Sequence, residues 1–141
     1  MTVTLAWVFG DEDEALEWNL ALAVFCPDAF VVLGADVLWR PHRTPFEFST
    51  AATLAEAALE SEIVVLAPRN GAVVQGTTPL THFIHPPNAL YLFGSDNAHL
   101  DPAVLAGWDA ELVYIPTDGD LQLHSYETAM LVMYDRRARG G

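Results

Sequence analysis

The sequence contains no lysine and only six arginines against nineteen acidic residues, so its formal net charge at pH 7 is −13. Surfaces that bind nucleic acid normally carry clustered cations, because the release of counterions from phosphates drives that binding. The composition therefore argues against DNA binding and leaves any RNA-binding surface short of positive charge. Half of the arginines lie near the C-terminus, where we expect them to complement a helix dipole and to be solvated: Arg136, Arg137 and Arg139.

Cysteine is scarce and long apolar runs are absent. The one cysteine, Cys26, cannot form an internal disulfide, and beside Pro27 it is expected to be a small buried apolar residue. The apolar runs are short and are interrupted by Pro, Gly or Asp, so no membrane-spanning segment is expected. The first residues lack the basic leader and small-residue cleavage site of a secretory signal, and we expect a cytoplasmic protein.

Several motifs that mark common enzyme classes are also missing. No G-x-G-x-x-G, P-loop or G-x-S-x-G pattern occurs, which argues against ordinary dinucleotide, nucleoside triphosphate and hydrolase sites. His82 and His85 have an i,i+3 spacing that would place them on one face of a helix. No further Cys or His spacing supports a metal site, so none is predicted.

The residues that are present predict one α/β domain over 1–141. Apolar residues make up 52% of the chain and charged residues 18%, which excludes a disordered chain and indicates that a partner subunit covers part of the surface. Five apolar runs lack hydrophobic–polar alternation, which is typical of parallel strands buried on both faces. These runs are residues 3–9, 29–33, 63–67, 89–93 and 111–115. We expect a mostly parallel sheet of five or six strands with helices on both faces.

Helices are predicted between these strands. An acidic run, 11–14, marks the start of a first helix that ends before Pro27 and carries a stripe of Leu16, Leu20, Ala23 and Val24, widened by Trp18, Leu22 and Phe25. Residues 34–48 are expected to form a loop. Further helices are predicted over 49–61 with Ser49 or Thr50 as the cap, over 78–84, from Asp101, and over 123–137.

The last fifty residues resemble the C-terminal half of the SPOUT-class RNA methyltransferases of the SpoU/TrmH family. A strand in that family ends in G-x-E-x-x-G-L, a later strand ends in I-P, and S-L-N then opens a helix that continues to Y-E. The matching residues here are Gly94, Asp96, Leu100, Ile115, Pro116, Gln122, Leu123, His124, Tyr134 and Asp135. The upstream order of elements also agrees, so the resemblance spans most of the chain.

The resemblance implies a C-terminal trefoil knot over about 88–137 and a bent S-adenosylmethionine molecule between three knot loops. Glycine at 94 would let a ligand approach the backbone closely, and aliphatic side chains would supply apolar walls. The implied cofactor-binding residues are Leu66, Ala67, Gly94, Ile115, Gln122 and Leu123. From the residues alone, Gly94 could equally serve a tight strand exit, with the aliphatic side chains in the core.

The resemblance further implies methyl transfer to an RNA ribose 2′-hydroxyl, in tRNA or rRNA, with Asn19 and His124 as catalytic residues. A histidine at 124 could act as a base near neutral pH, or it could be an ordinary residue of a helix N-terminus. The sequence departs from the family at two positions. Phe25 stands where the family has an arginine six residues after the asparagine, and His99 replaces the glycine of the acidic loop.

A homodimer is also implied, and Trp18, Tyr126, Met130 and Met133 provide more apolar surface on the first and last helices than a monomer core needs. Two alternatives stay open. The departures and the acidity favour a degenerate, non-catalytic protein of this fold that binds a nucleoside-like ligand or a protein partner. An unknotted, flavodoxin-like binding domain is the third possibility.

Overall fold

The computed structural model describes residues 1–34, 39–42, 45–51, 61–66, 77–94, 109–118 and 123–139. Seven strands, two α-helices and one 3-10 helix lie in these ranges, and the following bounds define their labels. They are β1 (Val3–Val8), α1 (Glu12–Val24), β2 (Ala29–Leu33), β3 (Glu47–Ala51), β4 (Glu62–Leu66), β5 (Thr77–Pro79), the 3-10 helix η1 (Leu80–His82), β6 (Ala89–Phe93), β7 (Ala110–Tyr114) and α2 (Ser125–Ala138).

The seven strands form one sheet in the order β3-β2-β1-β6-β4-β7-β5. All six neighbouring pairs are parallel, which confirms the predicted α/β class with a mostly parallel sheet. The predicted count of five or six strands is wrong, because β3 and β5 were not expected. Both are terminal strands of the sheet.

β3 corrects two predictions at once. Ser49 and Thr50 pair with Val31 and Val32 of β2, so neither residue caps a helix, and the loop predicted over 34–48 gives way to a strand at Glu47. Glu47, Ser49 and Thr50 are exposed, as the polar side chains of an edge strand often are. An apolar run therefore did not mark this strand. Residues 52–60 of the predicted helix lie outside the described residues.

β5 replaces the start of the helix predicted over 78–84. Thr78 pairs with Val113 and Pro79 pairs with Tyr114 of β7. Proline is tolerated in this position because β5 is the last strand of the sheet, where no second neighbour needs its missing N–H. The chain then makes the short η1 and ends it at His82, so His82 and His85 do not share a helix. The helix predicted from Asp101 lies outside the described residues.

The two faces of the sheet are both buried. On one face, side chains such as Leu5, Trp7 and Tyr91 join α1 and α2 in a large core. On the other face, Ala6 and Leu92 belong to a second buried apolar cluster. This two-sided burial explains why the central strands are apolar throughout rather than alternating.

α1 has the predicted start and end but a different buried face. Asp11 caps it by accepting a hydrogen bond from the Glu14 N–H at 2.8 Å, and the helix ends at Val24, before Pro27. The core side carries Glu14, Ala15, Trp18, Ala21 and Leu22. The predicted stripe lies on the outer side instead, where Leu16, Leu20 and Val24 are about half exposed (55%, 54% and 48%).

α2 packs beside α1 on the same face of the sheet. Its first residue, Ser125, is bonded to Trp18 of α1, and its last turn contacts the segment 80–88 that precedes β6. Since Pro86 and Pro87, which accept hydrogen bonds from Arg136, lie just before the amino end of β6, α2 runs from the carboxyl edge of the sheet back towards its amino edge. No helix in the described part of the chain is long and apolar enough to cross a membrane.

Candidate functional site at the carboxyl edge of the sheet

Three of the residues predicted to bind the cofactor meet at the carboxyl edge of neighbouring strands. Leu66 is the last residue of β4, Gly94 directly follows β6, and Ile115 directly follows β7. β4 lies between β6 and β7, with Val65 beside Leu92 and Leu66 beside Val113. The register therefore places all three residues at one end of the sheet, where α/β proteins commonly bind ligands.

At this edge the side chains of Leu66 and Ile115 are apolar, and Gly94 presents only main-chain polar groups. Leu66 is buried, Gly94 and Ile115 are partly exposed, and Ile115 packs against the core that contains Leu66. Ala67 and Gln122, two of the other three residues predicted to bind the cofactor, lie outside the described residues. So do the motif positions Asp96, His99 and Leu100.

The N-terminus of α2 reaches the same edge. The Trp18 Nε1–H donates to Ser125 Oγ at 2.9 Å, and the Trp18 ring lies 5.4 Å from that of Phe93, the residue before Gly94. Leu123 and His124 immediately precede Ser125. The structure thus brings the start of α2 alongside the end of β6.

His124 is exposed and serves as the N-cap residue of α2. Its backbone N–H donates to Glu127 Oε1 at 2.9 Å, and its ring stacks on Tyr126 with centroids 5.8 Å apart. The side chain of His124 also accepts a hydrogen bond from the Glu127 N–H, which completes a capping box. A helix N-terminus also favours negative charge nearby, because its free N–H groups carry partial positive charge.

Asn19, the other predicted catalytic residue, is held by the segment 39–42. Its Oδ1 accepts a hydrogen bond from the His42 N–H at 3.0 Å. Its Nδ2 is buried and has no hydrogen-bond partner among the described residues. A buried donor without a partner costs about 1–3 kcal/mol, so this amide has an unused capacity to hold a ligand.

Thr117 shows the same feature at the carboxyl edge. It lies two residues beyond Ile115, and its Oγ1 is buried with no hydrogen-bond partner in the part of the chain that the structure describes. The sequence prediction missed Thr117. Its place directly after the Ile115–Pro116 pair was the available signal, because residues that follow a buried strand line the edge where ligands bind.

A buried carboxylate lies behind this edge, and the sequence prediction missed it too. Glu14 is 3% exposed. Its Oε2 accepts hydrogen bonds from Trp7 Nε1 at 2.8 Å and from Ser125 Oγ at 2.5 Å. The acidic run 11–14 predicts a helix start but does not indicate that Glu14 is buried. Glu14 lies one turn before Trp18, and that i,i+4 spacing puts both on one helix face.

A second polar network lies at the opposite edge of the sheet. His85, whose side chain is 2% exposed, lies 2.7 Å from the Tyr91 hydroxyl through Nδ1 and 2.6 Å from Asp135 Oδ2 through Nε2. Arg136 Nη1 donates to the same hydroxyl at 2.9 Å. A neutral imidazole satisfies all three contacts, because Tyr91 can then donate to Nδ1 while Nε2–H donates to Asp135.

The pKa values of this network follow from burial and from its hydrogen bonds. Burial lowers the pKa of His85, although Asp135 opposes this effect. Burial raises the pKa of Tyr91 against the opposing effect of Arg136. Burial acts to raise the pKa of Asp135, but the hydrogen bonds from His85 and Arg139 outweigh burial and hold this pKa below its ordinary value.

The C-terminal arginines have structural roles that differ from the expected solvated tail. Arg136 is buried and donates to the carbonyl oxygens of Pro86 and Pro87. Arg139 donates to Asp135 and to the carbonyl oxygen of Phe83. Two of the three clustered arginines are therefore used within the fold.

Two further predictions concern reactive side chains. Cys26 is exposed, so its expected burial is wrong; the neighbouring Pro27 is buried instead. Partial burial and Asp28 raise the pKa of the Cys26 thiol, which makes it a poor nucleophile at neutral pH. Within the ranges that the structure describes, no three His, Cys, Asp or Glu side chains are grouped so as to hold a metal ion.

Comparison with known proteins gives a match in structure but not in sequence. No protein family matches the sequence, and no curated protein matches it significantly. A protein from Porphyromonas gingivalis, assigned to the TrmH family of RNA methyltransferases, matches 98% of this chain with a TM-score of 0.75 at 13% identity, over 60% of its own length.

Two further solved structures contain S-adenosylmethionine. An rRNA methyltransferase from Sinorhizobium meliloti matches 97% of this chain with a TM-score of 0.73 at 14% identity, over 56% of its length. The SpoU methyltransferase AviRb from Streptomyces viridochromogenes matches 99% of this chain with a TM-score of 0.69 at 17% identity, over 61% of its length. This chain therefore spans about 60% of the length of these three proteins.

Proposed function

We propose that this chain, which has the SpoU/TrmH fold, is a cytoplasmic S-adenosylmethionine-dependent methyltransferase that acts on an RNA ribose 2′-hydroxyl in tRNA or rRNA. The observation that carries the proposal is the meeting of Leu66, Gly94 and Ile115 with the start of α2 at one edge of the sheet. The proteins of like structure include S-adenosylmethionine-bound methyltransferases.

The carboxyl edge suits the proposed cofactor. Gly94 leaves the main chain open to a ligand, and Leu66, Ile115 and Leu123 supply apolar surface for an adenine ring. The unpartnered Thr117 hydroxyl offers a polar group at the same edge. We assign Ala67 and Gln122 to the same site. When bound, the cofactor supplies an electrophilic methyl group on a sulfonium.

Asn19 and His124 are proposed to serve the RNA substrate. The buried Nδ2 of Asn19 has a hydrogen bond to give, and it would hold an acceptor oxygen of the nucleotide. The exposed imidazole of His124 would accept the proton of the ribose 2′-hydroxyl. An imidazole is suited to this step because its pKa lies near neutral pH.

The trefoil knot over about 88–137 is part of the proposal. The SpoU/TrmH fold supports it, since that resemblance implies a C-terminal segment passed through an earlier loop. Residues 95–108 and 119–122, which would form the crossing, lie outside the described residues. An electron-density map that traces these residues would test the knot, and a C-terminal segment lying outside every loop would refute it.

A homodimer is proposed through the outer face of α1. Leu16, Leu20 and Val24 form an apolar stripe there, and Leu131 and Tyr134 of α2 are also exposed. Trp18 takes no part, contrary to the sequence prediction, because it is fully buried. Tyr126, Met130 and Met133 are partly buried against the core.

Transfer of a labelled methyl group from S-adenosylmethionine to unfractionated tRNA and rRNA tests this function. We expect label in RNA with the wild type and a loss of ~100-fold or more in rate for Asn19→Ala and His124→Ala. His82→Ala is the matched control, because His82 is an exposed histidine that is not assigned to the site. Equal rates for all three variants would contradict the assigned roles.

A non-catalytic protein of the same fold is the second candidate. Phe25 stands where the family has an arginine, and its ring packs 6.4 Å from that of Tyr134. That position therefore offers no cation to a phosphate. Cofactor binding without label transfer to any RNA would favour this candidate.

A further inference from the structure

Four side chains from three elements form one buried polar cluster. Its members are all buried: Trp7 of β1, Glu14 and Trp18 of α1, and Ser125 of α2. Trp7 Nε1 and Ser125 Oγ both donate to Glu14 Oε2. The Ser125 hydroxyl also accepts from Trp18 Nε1, so its donor and its acceptor are both used.

The hydrogen bonds of this cluster restrict where α2 can begin. A hydrogen bond weakens steeply with distance and angle, so a shift of the first turn of α2 would break the bonds from Ser125 and Trp18. Glu14 also lies in the first turn of α1 and contacts the first residue of α2. The partial positive charges of two helix N-termini thus converge on one carboxylate, which favours this arrangement.

The cluster lies directly behind the candidate site. Ser125 follows Leu123 and His124, and Trp18 contacts Phe93, the residue before Gly94. A displacement of Ser125 would carry Leu123 and His124 away from the carboxyl edge. None of the four clustered side chains needs to touch the cofactor for this effect.

We propose that Glu14, acting through Ser125, is a positioning residue that sets the start of α2 against the end of β6. Its consequence for cofactor binding rests on the proposed function; its consequence for the geometry of α2 does not. Loss of the Glu14–Ser125 hydrogen bond frees the first turn of α2 while the rest of the helix stays packed.

The opposite end of α2 provides a matched control. There Tyr91 joins His85 and Arg136 in a network of similar burial. Tyr91→Phe removes one buried hydroxyl, as Ser125→Ala does, but it does so at the amino edge of the sheet. Both Tyr91→Phe and Ser125→Ala should lose stability. If each variant affects only its own end of α2, the effect is one of positioning and not of general destabilisation.

Hydrogen exchange of the ligand-free protein measures the position of α2 directly. The Thr128 N–H closes the first turn on the His124 carbonyl at 3.0 Å, and the Arg139 N–H closes the last turn on Asp135 at 3.1 Å. We expect Glu14→Gln and Ser125→Ala to speed exchange at Thr128 by about tenfold or more and to leave Arg139 unchanged. Tyr91→Phe should speed exchange at Arg139 and leave exchange at Thr128 unchanged. If Thr128 exchanges at the wild-type rate in both Glu14→Gln and Ser125→Ala, the inference is overturned.

Titration with S-adenosylmethionine tests the link to the site. We expect Glu14→Gln to weaken binding by roughly tenfold to a hundredfold, as a misplaced contact does, and Tyr91→Phe to bind within about twofold of the wild type. Equal affinity of Glu14→Gln and the wild type would overturn the link. If the wild type does not bind, the proposed function fails, while exchange at Thr128 still decides whether Glu14 positions α2.

Discussion

Single residues at the two ends of α2 show how polar side chains hold a helix on an otherwise apolar sheet. Glu14 and Ser125 act at its start, and His85 and Arg136 act at its end. Burying such groups is tolerated because nearly every donor and acceptor has a partner. Among the residues that the structure describes, the exceptions are Asn19 Nδ2 and Thr117 Oγ1, and both belong to residues that the proposed function uses.

His85 makes the stability of the protein depend on pH. Burial lowers its pKa in the folded state, so the unfolded chain binds more protons around and below the ordinary value near 6.5. The contribution of His85 to stability is therefore present above pH ~6.5 and is lost as the pH falls towards the lowered pKa. We expect the free energy of unfolding in urea to fall between pH ~7 and ~5.

His85→Gln isolates this effect, because glutamine does not titrate. The variant should be less stable than the wild type at pH ~7 but should lose less stability on acidification to pH ~5. Asp135 should cause a second loss of stability once the pH falls below its ordinary pKa of 3.8, because its pKa in the folded state is lowered. An equally steep fall in His85→Gln and the wild type above pH ~5 would contradict the role of His85.

Tyr91→Phe gives the size of one buried hydrogen bond in this network. Removing the hydroxyl leaves His85 Nδ1 and one Arg136 N–H without this partner, so we expect a loss of ~1–3 kcal/mol in the free energy of unfolding. Urea denaturation at pH ~7 measures it. A change of less than ~0.3 kcal/mol would show that water or another group replaces the hydroxyl.

At the scale of secondary structure, burial decided which elements could be predicted. β2 and β6 were predicted to the residue, because each is a short apolar run buried on both faces. β3 and β5 were missed because an edge strand may carry polar residues or proline and still pair on one side. Their pairing partners come from distant parts of the sequence, which local patterns do not record.

α1 shows a second limit of pattern analysis. Its buried face includes Glu14, Ala15 and Ala21, while the larger Leu16, Leu20 and Val24 face outward. Apolar side chains on both faces leave the periodicity without a unique inner side. Glu14 could not be recognised as buried, because its partner Ser125 is separated from it by 111 residues.

The outer stripe of α1 makes a prediction about assembly. Leu20→Glu places a charge in the centre of the proposed dimer interface, where its desolvation would be unfavourable. We expect a dimeric wild type and a monomeric variant by light scattering after size-exclusion chromatography. Glu17→Gln, an exposed change on the same helix, is the control and should stay dimeric. A monomeric wild type at micromolar concentration would contradict the proposal.

At the scale of the whole molecule, the sequence resemblance correctly predicted a mostly parallel α/β sheet like that of the SpoU/TrmH proteins, while the net charge is unusual for a protein that binds RNA. The likeness in structure extends over nearly the full chain at less than 20% identity, because many sequences can satisfy the same pattern of buried strands. The net charge of −13 is unfavourable for RNA, and Arg136 and Arg139 are engaged within the fold.

Arg40 is an exposed arginine close to the proposed substrate site. Its guanidinium lies 5.7 Å from the centre of the Phe48 ring. Arg40 lies two residues before His42, whose backbone N–H donates to Asn19. We expect Arg40→Ala to raise the KM for RNA several-fold and to reduce the salt dependence of RNA binding by roughly one phosphate contact. Arg137→Ala, at the far end of α2, is the control. Equal effects of both variants would contradict a local role for Arg40.

Calorimetric titration of the wild type and of Gly94→Val with S-adenosylmethionine tests the central claim most directly. The account predicts one binding site per chain in the wild type, and loss of binding in Gly94→Val with its melting temperature largely retained, because the added side chain fills the space beside the carboxyl edge. Absence of binding by the wild type at millimolar ligand, or unchanged affinity in Gly94→Val, would contradict it.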